Sequence, residues 1–303
     1  MNARGTEDGL GAAKRVAGLE ELAPNYDAIV CDVWGVLIDG VRCHAEAARA
    51  LEKFRAQGRP VILVTNASRP DEEVERQLAG LGTPADCYDD LVSAGELTLA
   101  AIVARAGQAC HHLGPASDTG LFASAAERLG APLRKVGIDV ADYVVCTGLV
   151  DDEHERPEDY DRVLEAMLRR DLPMLCANPD VVVAVGDRLC YCAGALAERY
   201  ARLGGRVEHF GKPHPPIYAE AQARLAAMRS GPIAPDRILA IGDGIATDLA
   251  GAARAGFDCL LITTGVHMDA LHPGGGELDP AALDELLAGA PAEPQALARR
   301  LVW

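Results

Sequence analysis

Aromatic side chains are scarce in this 303-residue chain: four Phe, two Trp and seven Tyr make up 4% of it. A core must therefore be assembled mostly from Ala, Val, Leu and Ile. Basic side chains are in short supply too, 29 Lys and Arg against 45 Asp and Glu, giving a net charge of −16 and an isoelectric point near 4.9. That balance excludes a surface built to lie on DNA, RNA or anionic lipid, where clustered Lys and Arg neutralise phosphates. Long apolar runs are missing; stretches such as 181–185 and 238–241 fall far short of the ~20 apolar residues of a membrane span. The opening stretch MNARGTEDGLGAAKR has no apolar core and no cleavage signature, so it is expected to be loose and not a secretory signal. Nine cysteines are present but no C-x-x-C pair. Cys31, Cys146, Cys176 and Cys259 sit in apolar strand-like runs, and Cys190 and Cys192 share one strand face. Buried, reduced thiols in a cytoplasmic protein are expected, not a disulfide frame or a zinc site.

What is present is a hydrophobic content of 49%, ample for a folded core, in a length that suits one large domain or two modest ones at ~150 residues each. Short β-branched runs alternate with amphipathic stretches. Strands are predicted at 27–33, 60–65, 109–113, 143–147, 173–177, 181–185, 237–241 and 258–263, and 208–210 leads into GKPHPP. Helices are predicted at 45–57, 71–81, 158–170, 194–203, 217–228 and 247–255, with Ala48, Leu51 and Phe54 sharing a face in the first. A flexible loop is expected at 274–276. This alternation predicts an α/β fold with a parallel sheet flanked by helices.

Four polar elements recur at predicted strand ends. They are Asp32 in CDVWGVLIDG, Thr65-Asn66 after PVILV, Lys212 in GKPHPP, and Asp243 with Asp248 in GDGIATD. In an open α/β sheet, ligands bind outside the carboxyl ends of the strands, so the four can converge. Each alone has a plain reading: a turn Asp, a solvated Lys before Pro, a Gly-Asp-Gly turn. Together, in order, they suggest phosphoryl transfer. A carboxylate nucleophile such as Asp32 must approach an anionic phosphate, and Mg²⁺ on oxygen ligands with Lys212 would supply the counter-charge. Thr65, with nearby backbone N–H groups, would hold phosphate oxygens.

These motifs resemble the haloacid dehalogenase superfamily, and within it the class IIA, NagD-like branch, from about residue 27 to 266. Asp32 to Leu37 looks like the family's first motif, Thr65-Asn66 its second, Gly211-Lys212-Pro213 its third, and Gly242-Asp243 through Thr247-Asp248 its fourth. The 147 positions between Thr65 and Lys212 are where class IIA members insert an α/β cap. The resemblance implies a Rossmann-like three-layer core at 1–106 and 190–303, a cap at 107–189, and Mg²⁺-dependent hydrolysis of a small phosphate monoester such as a sugar phosphate or nucleotide monophosphate. It implies an aspartyl-phosphate on Asp32, phosphate binding by Thr65 and Asn66, and metal binding by Asp32, Asp243, Asp248 and the Trp34 carbonyl. Asn178-Pro179-Asp180 resembles a cap segment, making Asn178 and Asp180 candidates for substrate specificity beside their reading as an Asn-Pro turn. Related proteins are often dimers, so a homodimer is an expectation, with no nucleic-acid or membrane partner.

One position departs from the family. The usual second Asp of the first motif, which protonates the leaving group and then activates water, is Trp34 here. Indole has an N–H that does not titrate usefully. General acid–base help is typically worth ~10²–10⁴-fold, so its loss matters. Three outcomes are open: a preference for esters that need little protonation, a surrogate acid, or a slow or binding-only relative. Asp39 and His44 are the nearest surrogates in sequence, although Asp39-Gly40 also reads as a hairpin turn. A receiver domain also uses Asp, Thr and Lys, but the cap-sized insertion and the late GDGIATD count against it. His111 and His112 point to opposite faces of an extended strand and do not suit a shared metal. The run Asp151-Asp152-Glu153 reads as a solvated loop.

Overall fold

The protein is described by a computed structural model covering residues 13–185 and 188–303. Its strands, in chain order, are β1 (Lys14–Arg15), β2 (Ala28–Asp32), β3 (Val61–Thr65), β4 (Asp90–Ser93), β5 (Ala109–Leu113), β6 (Arg134–Lys135), β7 (Tyr143–Cys146), β8 (Met174–Cys176), β9 (Val182–Val185), β10 (Arg188–Tyr191), β11 (Val207–His209), β12 (Ile238–Gly242), β13 (Asp258–Ile262) and β14 (Ala296–Ala298). The helices are α1 (Ala45–Arg55), α2 (Asp71–Gly80), α3 (Ala94–Val103), α4 (Gly120–Leu129), α5 (Asp161–Arg169), α6 (Ala193–Arg202), α7 (Pro215–Met228), α8 (Ala250–Ala255), α9 (Met268–Leu271) and α10 (Pro280–Leu287).

Seven strands form one wholly parallel sheet, in the order β1-β14-β13-β12-β2-β3-β4. Side chains alternate across it, as the period of a strand requires. Ile29, Cys31, Leu63 and Ile241 pack one face with Leu51 and Phe54 of α1 and Leu78 of α2. Val30, Ile62, Ala240 and Leu261 pack the other with Ile217, Ala221 and Leu225 of α7 and Ala252 of α8. This is the expected three-layer, Rossmann-like core. Both faces are covered, which explains why its strands read as continuous apolar runs.

A second parallel sheet has the order β11-β8-β7-β5-β6, and β9 and β10 form an antiparallel pair. Val144, Cys146 and Met174 face Leu164 of α5 and Leu196 of α6, while Cys110, Val145 and Leu175 face Leu99 of α3 and Phe122 of α4. The division expected at 106 and 190 falls inside this unit. β11 is a strand of the second sheet and α6 packs on it, while α3 bridges the two, with Leu99 and Ile102 against the second sheet and Leu97 against the seven-stranded one.

Other expectations shift as well. Residues 1–12 lie outside the described residues, but Lys14–Arg15, expected to be loose, pair with Ala296–Leu297 as an edge strand. Residues 274–276 are tied down: the Arg299 guanidinium donates to the carbonyls of Gly275 and Gly276. The helix predicted at 247–255 begins with a π turn, Ile245–Leu249, before α8. The nine cysteines are all free thiols. Among the described residues no helix is long and apolar enough to cross a membrane.

Candidate active site

The carboxyl ends of the central strands deliver the polar residues to one place. β2 ends on Asp32, β3 on Thr65, and β12 on Gly242, one residue before Asp243. The π turn carries Asp248 back toward the strand end, where its Oδ2 accepts the Gly244 N–H at 3.1 Å. Lys212 enters from the loop between β11 and α7. Its Nζ lies 2.5 Å from Asp32 Oδ1 and 2.8 Å from Asp248 Oδ1. Asp32, Asp243 and Asp248 each offer an oxygen, and these lie within 4.8 Å of one another.

All four charged groups are buried, at 4–7% exposure. Three carboxylates face one ammonium, so the cluster is short of positive charge. Burial, with the Asp248 charge beside it, pushes the Asp32 carboxyl well above its ordinary value, against the pull of Lys212. Burial and Asp248 push Asp243 up to about 7. Burial pulls the Lys212 ammonium down, but Asp248 and Asp32 outweigh it and raise it well above its usual range. A lysine so held keeps its proton, and the acids lack a partner of equal charge. An all-oxygen, anionic, buried donor set of this kind fits a hard divalent cation.

The backbone around the cluster is shaped to it. Gly35 has φ +78°, and a Cβ there would stand 2.0 Å from Asp243 Oδ2, so the first loop lies directly on that carboxylate. Asp243 Oδ2 also accepts the Val266 N–H at 2.6 Å. Val266 was not anticipated; the signal is that TTGV closes β13, the strand beside β12. Asp32 Oδ1 accepts the Val33 N–H at 2.6 Å.

Asn66 has a different surrounding from the one its motif implies. Its Oδ1 accepts the Lys212 N–H at 2.6 Å, and its Nδ2 donates to the Lys212 carbonyl at 3.1 Å and to Asp180 Oδ1 at 2.8 Å. Both amide donors are thus engaged within the protein. Asp180 is brought to this clamp, and burial raises its carboxyl above the ordinary value. Asn178 acts locally, its Oδ1 accepting the Asp180 N–H at 3.0 Å. Thr65 is fully buried, and its Oγ1 accepts the Ala67 N–H at 3.3 Å.

The hydrogen bonds of Asp39 and His44 run to their own segment and not to the acid cluster. Asp39 Oδ1 accepts the N–H groups of Val41 and Arg42, each at 2.9 Å, in a turn closed by an Ile38–Cys43 bridge. Those two amides hold its carboxyl below the ordinary value. His44 precedes α1, with its N–H on the Leu37 carbonyl. His112 bonds Thr147 Oγ1 at 2.9 Å and His111 the Val136 carbonyl at 3.0 Å, so the two rings share no ligand.

Comparison with known proteins places this geometry. A family model for haloacid dehalogenase-like hydrolases matches residues 29–140, and a HAD-hydrolase-like model matches 209–290. A solved haloacid dehalogenase-like hydrolase from Brucella suis 1330 is 41% identical, covers 95% of this chain and 100% of its own, and superposes with a TM-score of 0.80. D-glycerol 3-phosphate phosphatase of Mycobacterium tuberculosis is 28% identical over 82% of this chain, which spans 66% of that protein's length. Ribonucleotide monophosphatase NagD of Escherichia coli K12 is 24% identical over 78% of this chain and 88% of its own. The chain belongs to the haloacid dehalogenase-like hydrolase family, and NagD is among the proteins it is similar to.

Proposed function

We propose that the protein is a cytoplasmic, Mg²⁺-dependent phosphomonoester hydrolase that acts on a small phosphorylated metabolite, in the range of sugar phosphates and nucleotide monophosphates. The observation that carries this is Lys212 Nζ seated between Asp32 and Asp248, with Asp243 completing the acid cluster. The named phosphatases among its relatives support the same reaction class.

Asp32 is the nucleophile: its oxygen attacks phosphorus and the ester bond to the leaving group breaks, leaving an aspartyl-phosphate for water to hydrolyse. Lys212 steadies the nucleophile and the charge building on the phosphoryl oxygens. Thr65, whose oxygen already accepts a bond from Ala67, keeps its own O–H to donate to phosphate. Asp32, Asp243, Asp248 and the Trp34 carbonyl would hold a divalent cation, which would supply the charge that lets one anion approach another. Asn66 and Asp180 are positioning residues in this reading. The Asn66 amide clamps the Lys212 backbone, and Asp180 fixes which way that amide faces. The second sheet serves as the cap.

Asp32→Asn tests the proposal. Turnover of p-nitrophenyl phosphate should fall at least ~10³-fold, because residues that act as one unit lose most of their effect together. Thermal unfolding should show the fold intact, since a buried repulsive charge is removed. A folded variant with undiminished turnover overturns the assignment. Trp34 favours one other reading, a protein that binds a phosphorylated ligand without hydrolysing it; any Asp32-dependent turnover rejects it.

A further inference from the structure

We infer that the preferred substrate is an aryl phosphate, an ester whose leaving group departs without a proton, and that Trp34 is the residue that selects it. This rests on the phosphatase reading above and narrows its substrate class.

The first line of argument concerns protons. The position two residues past the nucleophile holds an indole, which neither gives nor takes a proton near neutral pH. Among the described residues, the carboxylates that reach the site each hold a hydrogen bond or ion pair within the protein, and none stands at the position two residues past Asp32. Asp243 Oδ2 takes the Val266 N–H. Asp248 takes Lys212 through Oδ1 and the Gly244 N–H through Oδ2. Asp180 Oδ1 takes Asn66. Asp39 is bound by two amides, its Oδ2 sits 3.5 Å from the Arg42 guanidinium, and its charge is favoured by these contacts. It has no proton to lend at neutral pH. An alkoxide leaves poorly without protonation, whereas a phenol, with a pKa of ~10 or less, departs as its anion.

The second line concerns shape. Trp34 sits between Asp32 and Gly35, and Gly35 rests on the Asp243 carboxylate, which places Trp34 at the rim of the cluster. Its ring lies on Gly40, where a Cβ would stand 2.5 Å from Cζ3 and 2.9 Å from Cη2. Only glycine, here at φ +85°, allows that contact. Even so, Trp34 is 39% exposed, and Val266, on the loop after β13, is 62% exposed. Val266 is joined to the cluster through its own N–H on Asp243. The acidic centre thus has at its rim a part-exposed indole and an exposed valine. Such a rim suits an aromatic leaving group, which gains from ring contact as well as from burial.

The chemistry balances without a general acid. The Asp32 oxygen forms a bond to phosphorus, and the phosphorus–oxygen bond to the aryl group breaks with its electron pair on the phenolate. Water then attacks phosphorus and the acyl-phosphate bond breaks, returning the Asp32 carboxylate. The water proton leaves with inorganic phosphate.

The test is kcat/KM with Mg²⁺ for substituted phenyl phosphates, alkyl phosphates and acetyl phosphate, plotted against leaving-group pKa. A steep fall is expected, at least ~10²-fold from p-nitrophenyl to an alkyl phosphate. Acetyl phosphate, activated but without a ring, should turn over with KM about 3- to 10-fold above that of p-nitrophenyl phosphate. Trp34→Ala should raise KM for the aryl esters by the same factor with kcat little changed, and Trp34→Phe should restore it. Trp34→Asp should flatten the plot. A flat plot for the wild type overturns the leaving-group inference, and it does so without any variant. An unchanged aryl KM in folded Trp34→Ala overturns the role of the indole. Absence of all turnover, in wild type and Asp32→Asn alike, overturns the phosphatase reading itself.

Discussion

At the carboxyl end of β2, Asp32, Asp243, Asp248 and Lys212 are almost wholly buried, and their oxygens and ammonium have partners within the protein. By contrast, Trp34, Val41 and Val266 stand open to solvent on the loops that follow β2 and β13. The difference has a physical cause. Charges taken out of water are tolerable only where partners are fixed in place, so the charged side has to be rigid. Apolar groups at a rim ask for no partner, and substitution there changes what is bound more than whether the protein folds. The tolerance of Trp34 at a position that the family fills with Asp belongs to that second side.

Breaking the charged side should have the larger effects. Lys212→Met should lower kcat/KM by ~10²–10³-fold, the size expected when one donor to the developing charge is removed. In metal-free buffer it should also cost about 3–5 kcal/mol of unfolding free energy, because the buried acids lose their one cation. Urea denaturation with and without Mg²⁺ separates the two effects.

Asp243→Asn comes next. Mg²⁺ should raise the melting temperature of the wild type, by the equivalent of about 2.7 kcal/mol at a hundredfold excess over Kd, and should lose most of that effect in the variant. The same pair tests pH. In the fold the Asp243 carboxyl is pushed up to about 7 from an ordinary 3.8. A carboxyl raised by folding adds stability that is fully present below its unfolded value and is lost as pH rises through its folded value. The metal-free wild type should therefore lose stability between pH about 4 and 7. Asp243→Asn should lose less over that window, read by thermal unfolding in metal-free buffer.

Smaller effects follow away from the charges. Asp180→Leu removes the acceptor that orients Asn66, and kcat should fall ~10-fold with KM little changed, since a misplaced lysine harms the transition state more than the complex. Asp180→Asn keeps an acceptor oxygen and should recover most of the loss; equal losses in both variants would exclude an orienting role. Asp39→Ala, on the open side, should change turnover less than ~2-fold and stability by under about 1 kcal/mol, as for exposed hydrogen bonds. A large loss of activity there would make Asp39 part of the chemistry and erase the contrast.

The central strands were legible because strands covered on both faces are written as unbroken apolar runs, as in VILVT of β3. Asp32, Thr65 and Asp243 were legible for the same reason, since each ends or follows such a run. The edges were not. β1 and β14 are two and three residues long, and their pairing joins the two ends of the described chain, which no local pattern records. The division between the two sheets was misplaced because α3 and α6 look like any helix until the sheet they cover is known. That the Asn66 side-chain amide holds Lys212, 146 positions away, is likewise a contact no local pattern records.

The sequence by itself determined which residues are available for chemistry. Three acids, a lysine and a threonine end or follow strands, and a tryptophan stands where a second carboxylate is usual. Alternation of apolar residues was enough to fix that, because it is a property of neighbouring residues. The tertiary structure alone decided which charges face one another, that Asp39 is consumed by its own turn, that Asp180 reaches Asn66 from the other sheet, and that the Trp34 ring rests on Gly40. Those outcomes depend on burial and on contacts between distant segments, and burial is what turns an ordinary aspartate into one that favours a metal ion over solvent.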